Sequence, residues 1–305
     1  MMVSLEDGRR RPGVTLVELL VVVAVLAILL GAALTMLRPV MKDMKVREAA
    51  RMVNAYLAGA QARAAALNRP VGVYIERFEN KPGASYQLFM AETPPPYAGD
   101  AVDSRAILSG NNTATFSGQN ALLTALCSSG DFIRFDFRGP SYRITSLSGG
   151  SVQFDLDDYP PPPKGTVAYQ IFRKPVKSSV GPLDIPEPLA IDIGYSGIGR
   201  NGEFSPSDSQ PIIIAFAPNG SIDRVYGKDK AGGVLEREGP MGAVHLLIGW
   251  ADKIGTENLG DGGNRWVSIG HTTGRITTTE NVEGASTPTQ ARELAADAQG
   301  MGAGV

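Results

Sequence analysis

Cysteine and histidine are nearly absent from this 305-residue chain. It has one cysteine, Cys127, and two histidines, His245 and His271. A lone cysteine excludes an intrachain disulfide and any structural zinc site built from several thiolates. Two histidines leave little room for histidine-based catalysis. No G-x-S-x-G sequence occurs, and spacing supports no Ser–His–Asp arrangement. The glycine-rich stretch from Gly194 to Gly199 lacks the Lys-Ser/Thr pair and the helix-opening context of a phosphate loop. An excess of positive charge is missing too. Lys and Arg number 29 against 31 Asp and Glu, for a net charge of −2. That gives no support to a nucleic-acid binder driven by bulk electrostatics.

Enough is present for a folded domain. Hydrophobic residues make up 43% and charged residues 20%, the balance of a globular chain. The 36 glycines and 21 prolines favour short strands joined by many turns over a helical bundle.

The most specific pattern is at the N-terminus. Arg9, Arg10 and Arg11 precede a long apolar run. From Leu19 to Leu37 no residue is charged, and as a helix those residues span roughly 28 Å, close to a bilayer core. The arginines place the leader on the cytoplasmic side. An ordinary secretory signal is cut after its apolar core. Here the candidate processing site, Gly13, lies before it, and a single carboxylate, Glu18, stands at the start of the run. Such a carboxylate is costly in lipid unless it finds a partner.

Arg-Pro-Gly13 followed by Val14-Thr15-Leu16-Val17-Glu18-Leu19-Leu20 resembles the prepilin leader of type IV pilins and type II secretion pseudopilins. The first mature residue in that family is usually Phe, and here it is Val14. The resemblance implies cleavage between Gly13 and Val14 by a prepilin peptidase, N-methylation of Val14, and an assembly role for Glu18. In a filament of such helices, the Glu18 carboxylate would pair with the methylated amine of a neighbouring Val14. The alternatives are a plain single-span anchor for the motif, a carboxylate at the headgroup boundary for Glu18 and a flexible hinge for Gly13. Loss of a leader with three arginines and two acids would leave 26 basic and 29 acidic side chains, for −3.

Beyond Leu37, Pro39 is a candidate kink. Val46, Ala49, Val53, Tyr56, Ala60, Ala64 and Leu67 then recur at spacings of three and four, with Lys45, Arg47, Arg51 and Arg63 between them. This predicts one apolar stripe on a water-exposed helix. Pro70 ends it. Tyr56 and Leu57 are expected to be buried, and Arg51 and Arg63 to face solvent.

Strands are predicted at 71–78, 85–91, 132–137, 142–147, 152–156, 167–172, 212–217, 221–226, 244–250, 265–269 and 275–278. Residues 174–211 read as loop-like. The chain thus divides into a leader (1–13), a transmembrane and amphipathic helix (14–68), a β domain (69–280) and a mobile tail (281–305). Thr287 and Gln290 stand at capping-box spacing within that tail, so a short helix is the other reading. The expected class is α+β, a long N-terminal helix packed on a mostly antiparallel sheet domain.

Later segments resemble the H-type minor pseudopilins: Ala49-Ala50-Arg51 through Asn68-Arg69-Pro70-Val71, Ile214 to Gly220, and Trp266 to Ile276. Residues 93–210 match nothing in that family and read as an insertion. Some H-type relatives bind DNA through a basic C-terminal stretch. Here Glu280 and Glu283 follow Arg275, so no nucleic acid is expected. The implied partners are the peptidase, other pilins or pseudopilins, an inner-membrane assembly platform and membrane lipid. No cofactor is expected, and a separate ATPase would drive extrusion. The implied place is the bacterial inner membrane, with the β domain periplasmic and entering a pseudopilus or a pilus tip. The runner-up is a membrane-anchored module that displays its β domain to cargo or surface ligands. Asp155 and Asp157, and Asp261 in the Gly260–Asn264 loop, are the weak calcium candidates, although neither stretch fits a twelve-residue calcium loop. His245, in an apolar run, reads as structural.

Overall fold

The computed structural model describes residues 13, 15–118, 121–235, 237–238 and 242–300, with the backbone alone at 32–40 and 237–238. Two compact units divide at Lys45 and Val46. Helix α1 is assigned from Leu16 to Leu67 and contributes to both. The kink expected at Pro39 falls where side chains are outside the described residues.

In the first unit every large apolar side chain from Leu16 to Leu30 is exposed, between 49% and 79%. Apolar residues occur all around this half of the helix. That pattern suits an apolar surrounding rather than a single packed face.

The second unit is built on the other half of α1. Val46, Ala49, Val53, Leu57, Ala60 and Ala64 are buried, as the spacing predicts. Ala50 joins them, and Tyr56 is half-buried with its hydroxyl donating to Gly181 O at 3.2 Å. Leu67 departs from the expectation and is 42% exposed, because the chain reverses directly after it. Asn68 there takes a φ of 49°, a left-handed terminator of the kind Asn tolerates. The Arg51 side chain faces solvent, but Arg63 does not stay free. It donates to Glu92 at 2.6 Å, and Arg69 binds the other carboxylate oxygen at 2.7 Å. Hydrogen bonds from Arg63, then Ser178, hold the Glu92 carboxyl below its ordinary range.

Two antiparallel sheets cover the stripe. The first orders Val176–Lys177, Gln87–Glu92, Val71–Glu76, Ile212–Phe216, Ile222–Tyr226 and Arg237–Glu238, with Leu183–Asp184 also on Gln87–Glu92. The second orders Ile276–Glu280, Arg265–Ile269, Val244–Trp250, Leu189–Ile198 and Ala84–Ser85. Val73, Ile75, Ile212, Ile214, Val244, Leu246 and Ile248 meet the helix in one core. The architecture is α+β, with an N-terminal helix followed by a mostly antiparallel β domain, consistent with a pilin-like fold.

Both sheets have a second buried face. Successive side chains alternate across a strand. Ile213 and Ala215 therefore point away from α1, into a cluster with Tyr226, Phe132 and Phe172. Leu247 points away on the second sheet and packs with Trp266, Ala291 and Ala295. This explains why these strands read as continuous apolar runs rather than alternating ones.

The residues expected as one insertion from 93 to 210 divide in two. Those between Arg105 and Phe172 form a sheet of their own, in the order Tyr169–Phe172, Phe132–Phe135, Ser141–Ser148, Ser151–Asp155, Thr113–Ser117, Arg105–Leu108, Gly165–Val167. Its two end members are separated in the chain only by Ala168, so the sheet closes into a small barrel. Ile133, Phe135, Tyr142, Phe154 and Tyr169 fill its interior, together with the buried Cys127. From Val176 on, the chain rejoins the two helix-covering sheets. Leu189–Ile198, read as loop-like, is a ten-residue strand in the second sheet. Its glycines serve close approach. A Cβ on Gly197 would lie 1.9 Å from Gly202 O, beside a register shift between Asp192 and Gly197.

The tail expected to be mobile is instead packed from Pro288 to Ala298. Two short helices, Pro288–Ala291 and Glu293–Ala298, bury Ala291, Ala295 and Ala296. Thr287 caps the first, accepting from Gln290 N–H, while Gln290 Oε1 accepts from Ser286 N–H rather than from the cap itself. Arg292 between them is fully buried. It donates to the carbonyls of Tyr195, Gly199 and Gly202 at 2.6, 2.7 and 2.9 Å and lies over the Trp266 ring. The alanines look like low-complexity sequence but form the small-residue lid that the Trp266 face needs. Residues 301–305 lie outside the described ones.

Candidate processing and assembly site

The N-terminal site begins at an exposed, non-helical Gly13 with open space around its Cα. Val14 and the leader before Gly13 lie outside the described residues. Thr15 then starts the helix. Its carbonyl accepts from Leu19 N–H at 3.1 Å, and its hydroxyl accepts from Glu18 N–H at 3.2 Å. Thr15 and Glu18 thus stand in capping-box positions, where a hydroxyl satisfies an orphan N–H and a carboxylate meets the positive end of the helix dipole. Sequence reasoning singled out Glu18 and missed Thr15, although the T-x-x-E spacing was the available signal. The cap stops the helix at Leu16, so the chain at Gly13 is not tied into helical hydrogen bonds.

Glu18 is exposed and sits among the exposed Leu16, Val17, Leu19 and Leu20. Among the described residues no helix is long and apolar enough to cross a membrane. The run expected to cross, Leu19 to Leu37, has its end from Ala32 outside the described side chains.

Residues 8–34 match the prokaryotic N-terminal methylation motif. The matched stretch spans Gly13, Val14 and Glu18 and reaches into the apolar half of α1. It supports a type IV pilin-like protein, made as a precursor for a prepilin peptidase and assembled with other pilins. No curated protein and no solved structure matches the chain.

The end of α1 and two turns far along the chain come together in space. Gln61 of α1 donates to Gly220 O at 2.6 Å and Gly274 O at 3.1 Å, pinning two distant turns to one side chain. Both glycines have left-handed φ values, 89° and 63°.

The calcium candidates do not converge. Asp155 and Asp157 are exposed at a strand end, where Asp155 accepts from Asp157 N–H. Asp261 is engaged by Lys253 at 3.2 Å and by Gly263 N–H at 3.0 Å. Among the described residues no three His, Cys, Asp or Glu side chains are grouped to hold a metal ion. His245 is buried, with Nδ1 2.7 Å from Ser268 Oγ. Burial, and then the charge of Arg292, push its pKa down to about 3.

Proposed function

We propose that this chain is a minor pseudopilin-like structural subunit of the H type. It is cut after Gly13, methylated at Val14, held in the inner membrane by a single span over Leu19 to Leu37, and built into a pseudopilus or pilus tip with its β domain on the periplasmic side. The observation that carries this reading is the juxtaposition at the N-terminus. The methylation motif ends in a helix half whose large apolar side chains have no cover among the described residues. Lipid before assembly and neighbouring helices after it would supply that cover. Glu18 then has a defined task. A carboxylate at the start of the span costs less than the about 2.5–3.5 kcal/mol of a charge at the bilayer centre, and pairing with a neighbour's terminal amine relieves both charges while setting the axial offset.

Mass spectrometry of the mature protein tests the processing. Val14 at the N-terminus, with a methyl group, is expected. An intact leader in cells with an active prepilin peptidase rules the reading out. Glu18→Ala is expected to leave cleavage and membrane residence intact and to lower crosslinking to partner pilins several-fold. Undiminished crosslinking assigns Glu18 to the helix cap alone.

A second reading is favoured by the closed barrel over 105–172, which has its own core. A membrane-anchored protein that displays this barrel to cargo would show the same processing but would not enter filaments.

A further inference from the structure

Most outer strands of the two helix-covering sheets are stubs. Val176–Lys177, Leu183–Asp184, Arg237–Glu238 and Ala84–Ser85 have two residues each. Short edges of this kind protect a sheet from adding further strands. Ile276–Glu280 is the exception among the described residues. It has five residues, pairs with Arg265–Ile269 without a register shift, and has no strand on its other side. Its Ile-Thr-Thr-Thr-Glu sequence favours a strand and holds none of the prolines or lysines that blunt an edge. Gly270 N–H donates to Arg275 O at 2.9 Å, and Asn281 N–H donates to Asn264 O at 3.0 Å. The antiparallel alternation between those two bonds turns the backbone groups of Thr277 and Thr279 toward the neighbouring strand and those of Ile276, Thr278 and Glu280 outward. Among the described residues no hydrogen bond reaches these three outward N–H and C=O pairs.

Beside this edge lies an open groove of about 570 Å³, with Thr278 and Glu280 on one wall and Arg47, Arg51 and Asn54 of α1 on the other. Asn54 Nδ2 donates to Thr278 Oγ1 at 3.0 Å, which holds the helix next to the strand. A helix wall along an open strand edge is an arrangement that accepts an extended peptide as a further strand. Main-chain hydrogen bonds then carry the affinity, and every second side chain of the guest meets the helix. The lining biases which side chains suit. Arg47, Arg51 and Arg265 stand there against one acid, Glu280. Arg265 is held by Glu280 at 3.0 Å, and Arg47 has a contact of its own within the chain. The Arg51 side chain is 81% exposed with its Glu48 partner 3.8 Å away, a loose surface pair that a guest carboxylate can exchange.

We propose that the Ile276–Glu280 edge is a docking site for an extended acidic segment of a partner protein, which adds as a sixth strand to the second sheet and turns its carboxylates to the α1 wall. The inference is independent of filament entry and applies to either reading of the anchored protein. The test uses the full chain in detergent and fluorescence polarisation with three labelled peptides: an alternating Glu–Val sequence, its Lys–Val counterpart, and the Glu–Val sequence methylated at every backbone nitrogen. The Glu–Val peptide is expected to bind, the Lys–Val peptide about fivefold or more weakly, and the methylated one not at all. Thr278→Pro removes an outward N–H that serves no bond to the neighbouring strand, a place where edge strands tolerate proline, and is expected to abolish binding. Thr278→Ala gives up the same Asn54 bond but keeps the N–H, and is expected to bind as wild type. Arg51→Glu, at an exposed side chain, is expected to erase the preference for Glu–Val over Lys–Val without moving the melting temperature, and it keeps the test decisive if the proline variant does not fold. No binding of the Glu–Val peptide overturns the proposal, as does equal binding of the methylated peptide or binding untouched by a folded Thr278→Pro. A preference unchanged in Arg51→Glu overturns the acidic assignment. A dimer of the chain that Thr278→Pro dissolves would give the edge to a second copy and also overturn it.

Discussion

Helix α1 carries one secondary structure through two opposite solvation problems. Its first half, Leu16 to Leu30, keeps every large apolar side chain exposed, and its second half, Val46 to Ala64, buries a narrow stripe completely. The first half is rich in Leu and Val on all sides. The second places Ala, Val and Leu on one face and Lys, Arg and Glu on the others. A helix backbone satisfies its own hydrogen bonds in either setting, so the side chains alone select the surroundings. The same α-helix therefore serves as an apolar rod in one unit and as the spine of a β domain in the other.

Leu57→Asp breaks the comparison hardest. Leu57 is fully buried between the two sheets, so the change removes about 1.5–3 kcal/mol of burial. It also strands a carboxylate in the core, and a total loss of about 4 kcal/mol or more is expected. Denaturant melts of the detergent-solubilised chain measure it. A midpoint unchanged from wild type would mean that the stripe is not what the sheets cover.

Acid should act on the second unit through His245. Its pKa is about 3 in the folded chain, below the ordinary 6.5. The unfolded chain thus takes up a proton that the folded one refuses. Stability from this group is complete above about pH 6.5 and falls as pH drops toward 3. The slope is about 1.4 kcal/mol per pH unit, or about 2 kcal/mol between pH 6.5 and pH 5. His245→Gln should flatten that part of the profile. An equal slope in the variant would assign the acid sensitivity to other groups.

The smallest effect on domain stability is expected in the first unit. Leu26 is 52% exposed and touches no buried core, so Leu26→Ala should shift the melting of the β domain by less than about 0.5 kcal/mol. Its consequence belongs to membrane residence and subunit packing. A loss comparable to that of a buried leucine would show that the two halves are energetically joined.

Legibility followed the range of the interactions. The N-terminal methylation motif was readable because it is a local string, matched over residues 8–34, that depends on no tertiary contact. The helical stripe was readable from period alone. Strands such as Val244–Trp250 and Arg265–Ile269 were found because they are short, apolar and bounded by turn residues. The barrel was not. Arg105–Leu108 and Thr113–Ser117 carry too few apolar residues to stand out, and they become strands because each has a neighbour on both sides. Leu189–Ile198 was hidden by its glycines and serine, whose use is visible only beside Gly202. The tail was hidden by its alanines, since nothing local tells a mobile Ala-rich stretch from one that covers a tryptophan.

Local chemistry determined the N-terminal methylation motif, which half of the helix is apolar on all sides and which face of the other half seeks a core. Each depends on residues within a few turns of one another. Tertiary structure alone decided that residues 105–172 close into a barrel, that Arg292 plugs a ring of backbone carbonyls, and that Gln61 joins the distant turns at Gly220 and Gly274. Those outcomes join residues tens of positions apart. Their free energy exists only once the sheets have paired and water has left the seam, and no local pattern records it.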